Sequence, residues 1–343
     1  RSARMGHTRE TRGKTMKKVL FATSALVLSA GFASAEVALS GDGRMGIIYD
    51  GNDAQFSSRA RVRFNLSGES DAGLSFGASF RVDQENYNGN QYRSAARGTA
   101  GAIWISGTYG KLSMGDTVSA SERAIGDLYE VGYTEGSFAG DVEEISYLTG
   151  DGENLGQGPN ILYEYTINNI SLYASASDGV NTPWFTTVGD STAVDADGRP
   201  ENTADIAWSL AAKYEAENWW AALGYAKHGD AKEVALGGEG KFNGFSVKGV
   251  FTKYNDRFTG GADSEELKHT IGLGLAYQWD AVLVKGFYRK DKYEYAVADS
   301  DNFDSFGIGA DYDLGGGAIL AGGIVDSDYL DDTVADMGIK FSF

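Results

Sequence analysis

Three arginines spaced two apart, Arg59, Arg61 and Arg63, alternate with Ala60, Val62 and Phe64. In an extended strand that spacing puts the guanidiniums on one face and the apolar side chains on the other. Arg44 and Arg81 hold polar positions in the segments on either side, so five guanidiniums are expected on one wall. Arg59 falls near a rim, where an ordinary solvated side chain is equally in keeping with the pattern; the other four sit at mid-strand depth. Downstream, residues 117–158 carry Glu122, Asp127, Glu130, Glu135, Asp141, Glu143, Glu144, Asp151 and Glu153 against a single cation, Arg123. Connections this long are functional or disordered. The plain reading is an acidic surface loop; the sharper one folds it inward, turning Glu122, Asp127, Glu130 and Glu135 toward the arginine wall. Opposed rows of fixed charge across water create a transverse field that orders water and polar solutes and biases ions. Such chemistry sorts molecules without making or breaking bonds.

Catalytic chemistry has little to stand on. The chain has no Cys, which removes disulfides, thiolate metal sites and a Cys nucleophile. Its three histidines are His7, His228 and His269, and none lies in an H-x-x-x-H or Gly-x-Ser-x-Gly context. A lipase working at a membrane surface would need a Ser–His pair on an outward face; His269 has outward parity but no adjacent hydroxyl pattern. No cofactor is expected, and no EF-hand spacing points to calcium. The formal charge of −18 argues against a nucleic-acid partner.

The elements that must position these charges are strands. Among 343 residues, 47 Gly, 19 Tyr and 17 Phe against 3 Pro describe short, Gly-punctuated, aromatic-rich strands. Residues 16–35 read differently: Lys17 and Lys18, an apolar run from Val19 to Leu28, and Ala33-Ser34-Ala35 form a secretory signal peptide, too short and too diluted to span a bilayer. Residues 1–15 are expected to be an upstream extension from a mis-assigned start, and the mature chain is expected to begin at Glu36. Removing the seven Lys/Arg and one Glu of residues 1–35 takes the formal charge to −24.

Period-two alternation then recurs, as in Leu74, Phe76, Ala78, Phe80 and Val82 against Ser75, Ser79, Arg81 and Asp83. It predicts sixteen strands, at about 36–50, 56–69, 72–85, 97–107, 110–118, 158–168, 169–178, 203–216, 217–228, 231–240, 243–255, 266–279, 280–293, 300–313, 316–327 and 332–343. Short connections such as Asn168-Asn169 and Asn243-Gly244 fall on one side. Longer ones at 86–96, 119–157, 179–202, 256–265 and 294–299 fall on the other, with Pro159, Pro183 and Pro200 in loops or at a strand start. Strands with one lipid-facing and one wet face must close into a barrel, because an open edge in hydrocarbon leaves unpaired backbone groups. The final strand therefore pairs with the first, with Met337, Ile339, Phe341 and Phe343 outward. A secreted β-sandwich adhesin would share the signal and the alternation, and remains open on these patterns alone.

Several motifs in order complete the picture: Glu36-Val37-Ala38-Leu39-Ser40-Gly41 followed by Arg44, Ser58 to Arg63, the hairpin from Gly73 to Arg81, Tyr109 to Gly115 before the long segment, and Phe343. Together they resemble the general diffusion porins of Gram-negative outer membranes, most of all the purple-bacterial type, over the whole of 36–343. The resemblance implies a sixteen-stranded antiparallel transmembrane barrel with a long third external loop folded into the lumen, admitting ions and small hydrophilic solutes. It also implies a homotrimer among outer-membrane lipid and lipopolysaccharide, calcium in some members, and an assembly machinery that reads the aromatic end, here Phe341 and Phe343.

Overall fold

A computed structural model describes residues 36–87, 91–93, 101–149, 160–177, 206–258, 265–295 and 300–343. The expected leader, the three prolines, and the acids Asp151 and Glu153 lie outside the described residues. The strands, in chain order, are β1 Glu36–Tyr49, β2 Ala54–Glu69, β3 Ser75–Tyr87, β4 Gln91–Arg93, β5 Gly101–Gly107, β6 Gly110–Gly115, β7 Asn160–Ile167, β8 Ile170–Ser177, β9 Ala207–Glu215, β10 Trp219–His228, β11 Ala231–Phe242, β12 Phe245–Asn255, β13 Glu265–Trp279, β14 Val282–Tyr295, β15 Asp301–Gly315, β16 Ala318–Ser327 and β17 Val334–Ser342; the one α-helix among the described residues is α1, Ala120–Ile125.

Each strand pairs antiparallel with its neighbours, and β1 pairs with both β2 and β17, so the sheet closes. Beside β3, the three-residue β4 and the longer β5 share one position, since both pair with it at different heights. The barrel therefore has sixteen positions around its wall, the number that the alternation predicts. Closure is completed by reciprocal backbone bonds of 2.9 Å between Gly41 and Phe343. Glu36 and Phe343 consequently share a rim, and every connection at that rim is tight. Asn243-Gly244 is representative: φ of 47° and 82° gives the doubly left-handed turn whose twist matches the flanking strands.

Side-chain parity follows the expected pattern. Met337 is 62% exposed beside Asp336 at 5%, and Ile103, Leu275, Ile308 and Phe56 likewise face outward, exposed. A continuous apolar exterior of this kind is rare on water-soluble proteins and suits hydrocarbon. Among the described residues no helix is long and apolar enough to cross a membrane; the strands do so. Aromatic residues collect outside near the turn rim, with Tyr214 against Trp219 at 5.3 Å and Phe245 against Tyr277 at 4.2 Å, as an interfacial girdle requires.

Phe341 lies over Gly43 of the neighbouring strand, with its ring 5.4 Å from that of Phe343. Phe341→Lys puts a cation on this lipid-facing surface, at a cost of roughly 2 to 4 kcal/mol at the midplane and less toward the interface. Ser342→Lys turns the cation toward water. Insertion yield into lipid vesicles should fall for the first and hold for the second; equal losses would mean that the parity is inverted.

Candidate pore constriction

The lumen is built from the inward positions of β1–β3 on one side and from segment 116–149 on the other. On β2, the inward-facing arginines meet carboxylates from both neighbouring strands. Arg61 grips Asp83 with two bonds of 2.8 Å, Nε and Nη2 each donating to one oxygen. Arg81 Nε lies 3.3 Å from the same carboxylate, and Arg59 donates to Asp42 at 3.0 Å. Arg63 is exposed, stands opposite Arg81 in register, and has no ion pair among the described residues. Asp42 and Asp83 interleave with these arginines, so the net charge of this part of the wall is lower than the arginine spacing alone suggests.

Segment 116–149 folds inward, and many of its side chains are fully buried: Ala120, Val131, Tyr133 and Glu143 are 1% exposed or less. Helix α1 starts on Ser119, whose hydroxyl accepts from the Glu122 amide at 3.2 Å. Its first amides are taken up by the wall, Ala120 N donating to Ser175 Oγ at 2.9 Å and Ser121 N to Ser209 Oγ at 3.3 Å. At the far end the Asp336 carboxylate accepts from Thr134 N at 2.9 Å, Thr134 Oγ1 at 2.7 Å and Tyr133 N at 3.2 Å. Between these points Arg289 and Arg257 donate to the carbonyls of Glu144 and Ser146, and Leu148 N donates to Glu233.

The wall is carved to receive the segment. Inward-facing glycines lie under it on six strands between β10 and β17, with no side chain of their own between wall and loop: Gly224 under Ser121, Gly237 under Ile125, Gly272 under Leu128, Gly309 and Gly323 under Val131 and Gly132, and Gly338 under Tyr133. A Cβ on Gly323 would stand 2.6 Å from the Gly132 amide nitrogen, and its other nearest atoms also belong to the segment. Gly323→Val should therefore displace the segment while the barrel wall stays intact. Unchanged heat-modified gel mobility with altered single-channel conductance is the expected result; wild-type conductance would contradict it.

The sequence placed two groups differently from this arrangement. Arg44, expected on the open wall, is 5% exposed and donates to Thr134 O at 2.7 Å, so it holds the segment instead of facing free water. The acids expected to face the arginines are partly engaged elsewhere. Glu135 lies 3.4 Å from Lys340 of β17; Asp127 accepts from Ile145 N at 2.7 Å, and its carbonyl accepts from Lys248 of β12. Glu122 sits half-buried in α1, and Glu130 is exposed. Although its side chain reaches solvent, partial desolvation by the protein around it holds the Glu130 carboxyl above its ordinary range, with Glu135 acting in the same direction. Sequence reasoning missed Ser175, Ser209, Glu233, Arg289, Asp336 and the groove glycines. Their signal was a polar or glycine residue at inward parity in mid-strand, which alone does not say what it meets. Among the described residues no group of three or more His, Asp or Glu is arranged to hold a metal ion.

The family model described as Gram-negative porin matches residues 22–332. The chain belongs to that family. A porin from Rhodobacter capsulatus is 36% identical over 332 residues, spanning 90% of this chain and all of the relative. A porin from Fuscovulum blasticum is 28% identical over 320 residues, with the same coverage. A solved porin structure, refined at 1.8 Å resolution, is similar with a TM-score of 0.69 at 32% identity, over 90% of this chain and all of that one. The porin is thus an outer-membrane channel, and its barrel carries out passage, with no reaction to catalyse. The adhesin and lipase alternatives fall with the closed barrel and this membership.

Proposed function

We propose that this porin filters ions and small hydrophilic solutes by fixed charge, in a constriction bounded by Arg59, Arg61, Arg63 and Arg81 on one side and by the exposed acids of segment 116–149 on the other. The observation that carries this reading is the segment's position: its apolar residues pack onto the inner wall, while Glu130 remains exposed. Fixed charges of both signs bordering a narrow aqueous gap orient water and polar solutes and disfavour apolar ones. The interleaved Asp42 and Asp83 offset part of the arginine charge, and the chain as a whole is strongly acidic, so the expected preference is mildly cationic.

Substituting Arg61 and Arg63 by Ser removes bulk and positive charge together while leaving the lipid face untouched. In planar bilayers the double variant should conduct more and shift its reversal potential further toward cations. Glu130→Gln should shift it the other way. Wild-type values in both would place the filter elsewhere in the lumen.

Homotrimeric assembly, export by the signal at 16–35, and reading of Phe341 and Phe343 by the assembly machinery follow from family membership as expectations for this porin. A compact band in unboiled detergent samples that becomes an extended monomer on boiling supports the oligomer; a single unchanged band opposes it.

A further inference from the structure

The outer mouth of the barrel carries an aromatic platform that the constriction does not use. Tyr329 lies in the connection between β16 and β17, at the rim opposite Glu36 and Phe343, and its ring stacks on that of Phe303 from β15 at 4.9 Å with the planes 21° apart. Phe303 in turn meets Tyr293 of β14 edge-on at 5.3 Å. The Tyr329 hydroxyl donates to Asp291 Oδ2 at 2.6 Å and lies 3.1 Å from the Tyr293 hydroxyl. Asp291 is fully buried on the inner side, where Arg289 Nη2 stands 2.7 Å from the same oxygen and Thr270 Oγ1 donates to the other. Tyr329 is therefore fixed by its ring and by its hydroxyl, on the lumen side of the wall.

A tyrosine held this firmly is expected to be covered, yet 40% of Tyr329 is exposed. Arg289, whose Cζ lies 5.9 Å from the Tyr329 ring centroid, is itself buried and approaches from within the wall, so neither it nor Phe303 covers the remaining surface. Donation of the hydroxyl to a carboxylate polarises the phenol and enriches its ring in electrons, and a π-face of that kind attracts cations. The surroundings have the matching sign. Asp328, Asp331 and Asp332 share the β16–β17 connection with Tyr329, and Asp50 and Asp53 lie in the β1–β2 connection, all of them exposed. The two connections meet, since Gly51 is so close to Asp332 that a Cβ there would clash, and residues 50–53 and 328–333 include no Lys or Arg.

We propose that this platform binds organic ammonium ions, seating the alkylated ammonium group of a small solute on the exposed part of the Tyr329 ring within the acid-rich mouth. An alkylated ammonium brings charge and apolar surface to the ring together, so it gains both the cation–π attraction and the removal of apolar area from water. A bare inorganic cation gains only the first and must shed tightly held water. Tyr329 enters the contact with its orientation already fixed, so little side-chain freedom is lost on binding. The site stands at the outer mouth and does not depend on the arginines of β2 and β3, so it holds or fails separately from the charge filter proposed above.

Saturation-transfer NMR of the full chain in a maltoside detergent, titrated at constant ionic strength with choline and with its uncharged isostere 3,3-dimethylbutan-1-ol, reads the site directly. Wild-type protein should bind choline saturably and at least about fivefold more tightly than the isostere, the low end of the range for a cation on a partly desolvated ring. Tyr329→Leu removes the π-face and should weaken choline by about 5- to 30-fold. Tyr329→Phe keeps the ring and should stay within about threefold of wild type, on the same scale. Tyr109→Leu, which removes an exposed aromatic at the opposite rim, should change choline binding by less than about twofold, because that ring lies outside the site. If Tyr329→Leu fails to fold, Tyr329→Gln retains a donor for Asp291 without a ring, and the same loss is expected. Wild-type choline binding by a folded Leu or Gln variant would assign the attraction to the aspartates alone and overturn the proposal. Equal affinity for choline and the isostere, or no saturable choline binding, would overturn it as well.

Discussion

Asp336→Ala should release segment 116–149 from the inner wall and produce a larger, noisier single-channel conductance than any change at the arginine cluster. The Asp336 carboxylate takes three hydrogen bonds from Tyr133 and Thr134 at 2.7 to 3.2 Å while nearly all of its surface is buried. Its removal leaves two backbone N–H groups and one hydroxyl without an acceptor, at roughly 1 to 3 kcal/mol for each group left unsatisfied. Arg44 is anchored to the same loop residue, through Thr134 O, so its support weakens as Thr134 moves. Asp336→Asn keeps one acceptor and should give an intermediate channel. The backbone ladder of β17 is untouched, so the variant should still fold as a closed barrel with wild-type heat-modified gel mobility. A wild-type conductance for Asp336→Ala would show that the segment is held by its other anchors alone.

The second large effect concerns pH. Glu143 is fully buried within segment 116–149, under Gly136, whose hydrogens face its carboxyl so closely that a Cβ there would clash. Burial pushes the Glu143 carboxyl up to about 8 from its ordinary 4.5, with Asp141, Glu130 and Glu144 adding in the same direction. A group whose pKa is raised on docking favours the docked segment fully while it is protonated in both states, below about 4.5, and that contribution declines as pH climbs through 4.5 to 8. The docked segment should therefore loosen on the alkaline side, seen as more frequent conductance fluctuations above pH 8 than at pH 5. Glu143→Gln carries no titrating group and should flatten this dependence. A pH profile of fluctuations identical in wild type and Glu143→Gln would remove Glu143 as the cause.

Strand alternation is local physics, because lipid on one side and water on the other write themselves into every second residue. For that reason sixteen strands, their parity, the tight turns at one rim and the pairing of the last strand with the first could all be read from residues such as Leu39, Val62, Phe80 and Met337. The arginine spacing on β2 belongs to the same class: Arg59, Arg61 and Arg63 share a face whatever the rest of the chain does. The sequence equally marked segment 117–158 as unusual by its length and its acids.

What the sequence could not determine is which partners those charges meet, since inward parity names a face and not a neighbour. Asp83 sits in the strand beside Arg61 and neutralises it through cross-strand register, a distance of 22 residues along the chain; Arg44 reaches Thr134 across 90 residues and Asp336 reaches it across 202. Those contacts exist only once the barrel has closed and the loop has dropped into the row of glycines at Gly237, Gly272, Gly309 and Gly323, each of which looks in isolation like a weak point in a strand. Tertiary closure turns them into a groove, because the Ile125 and Leu128 side chains over Gly237 and Gly272, and the chain at Val131 and Gly132 over Gly309 and Gly323, approach too closely to leave room for a Cβ. It also turns a polar position such as Asp336 from a lumen-lining carboxylate into the anchor of the loop.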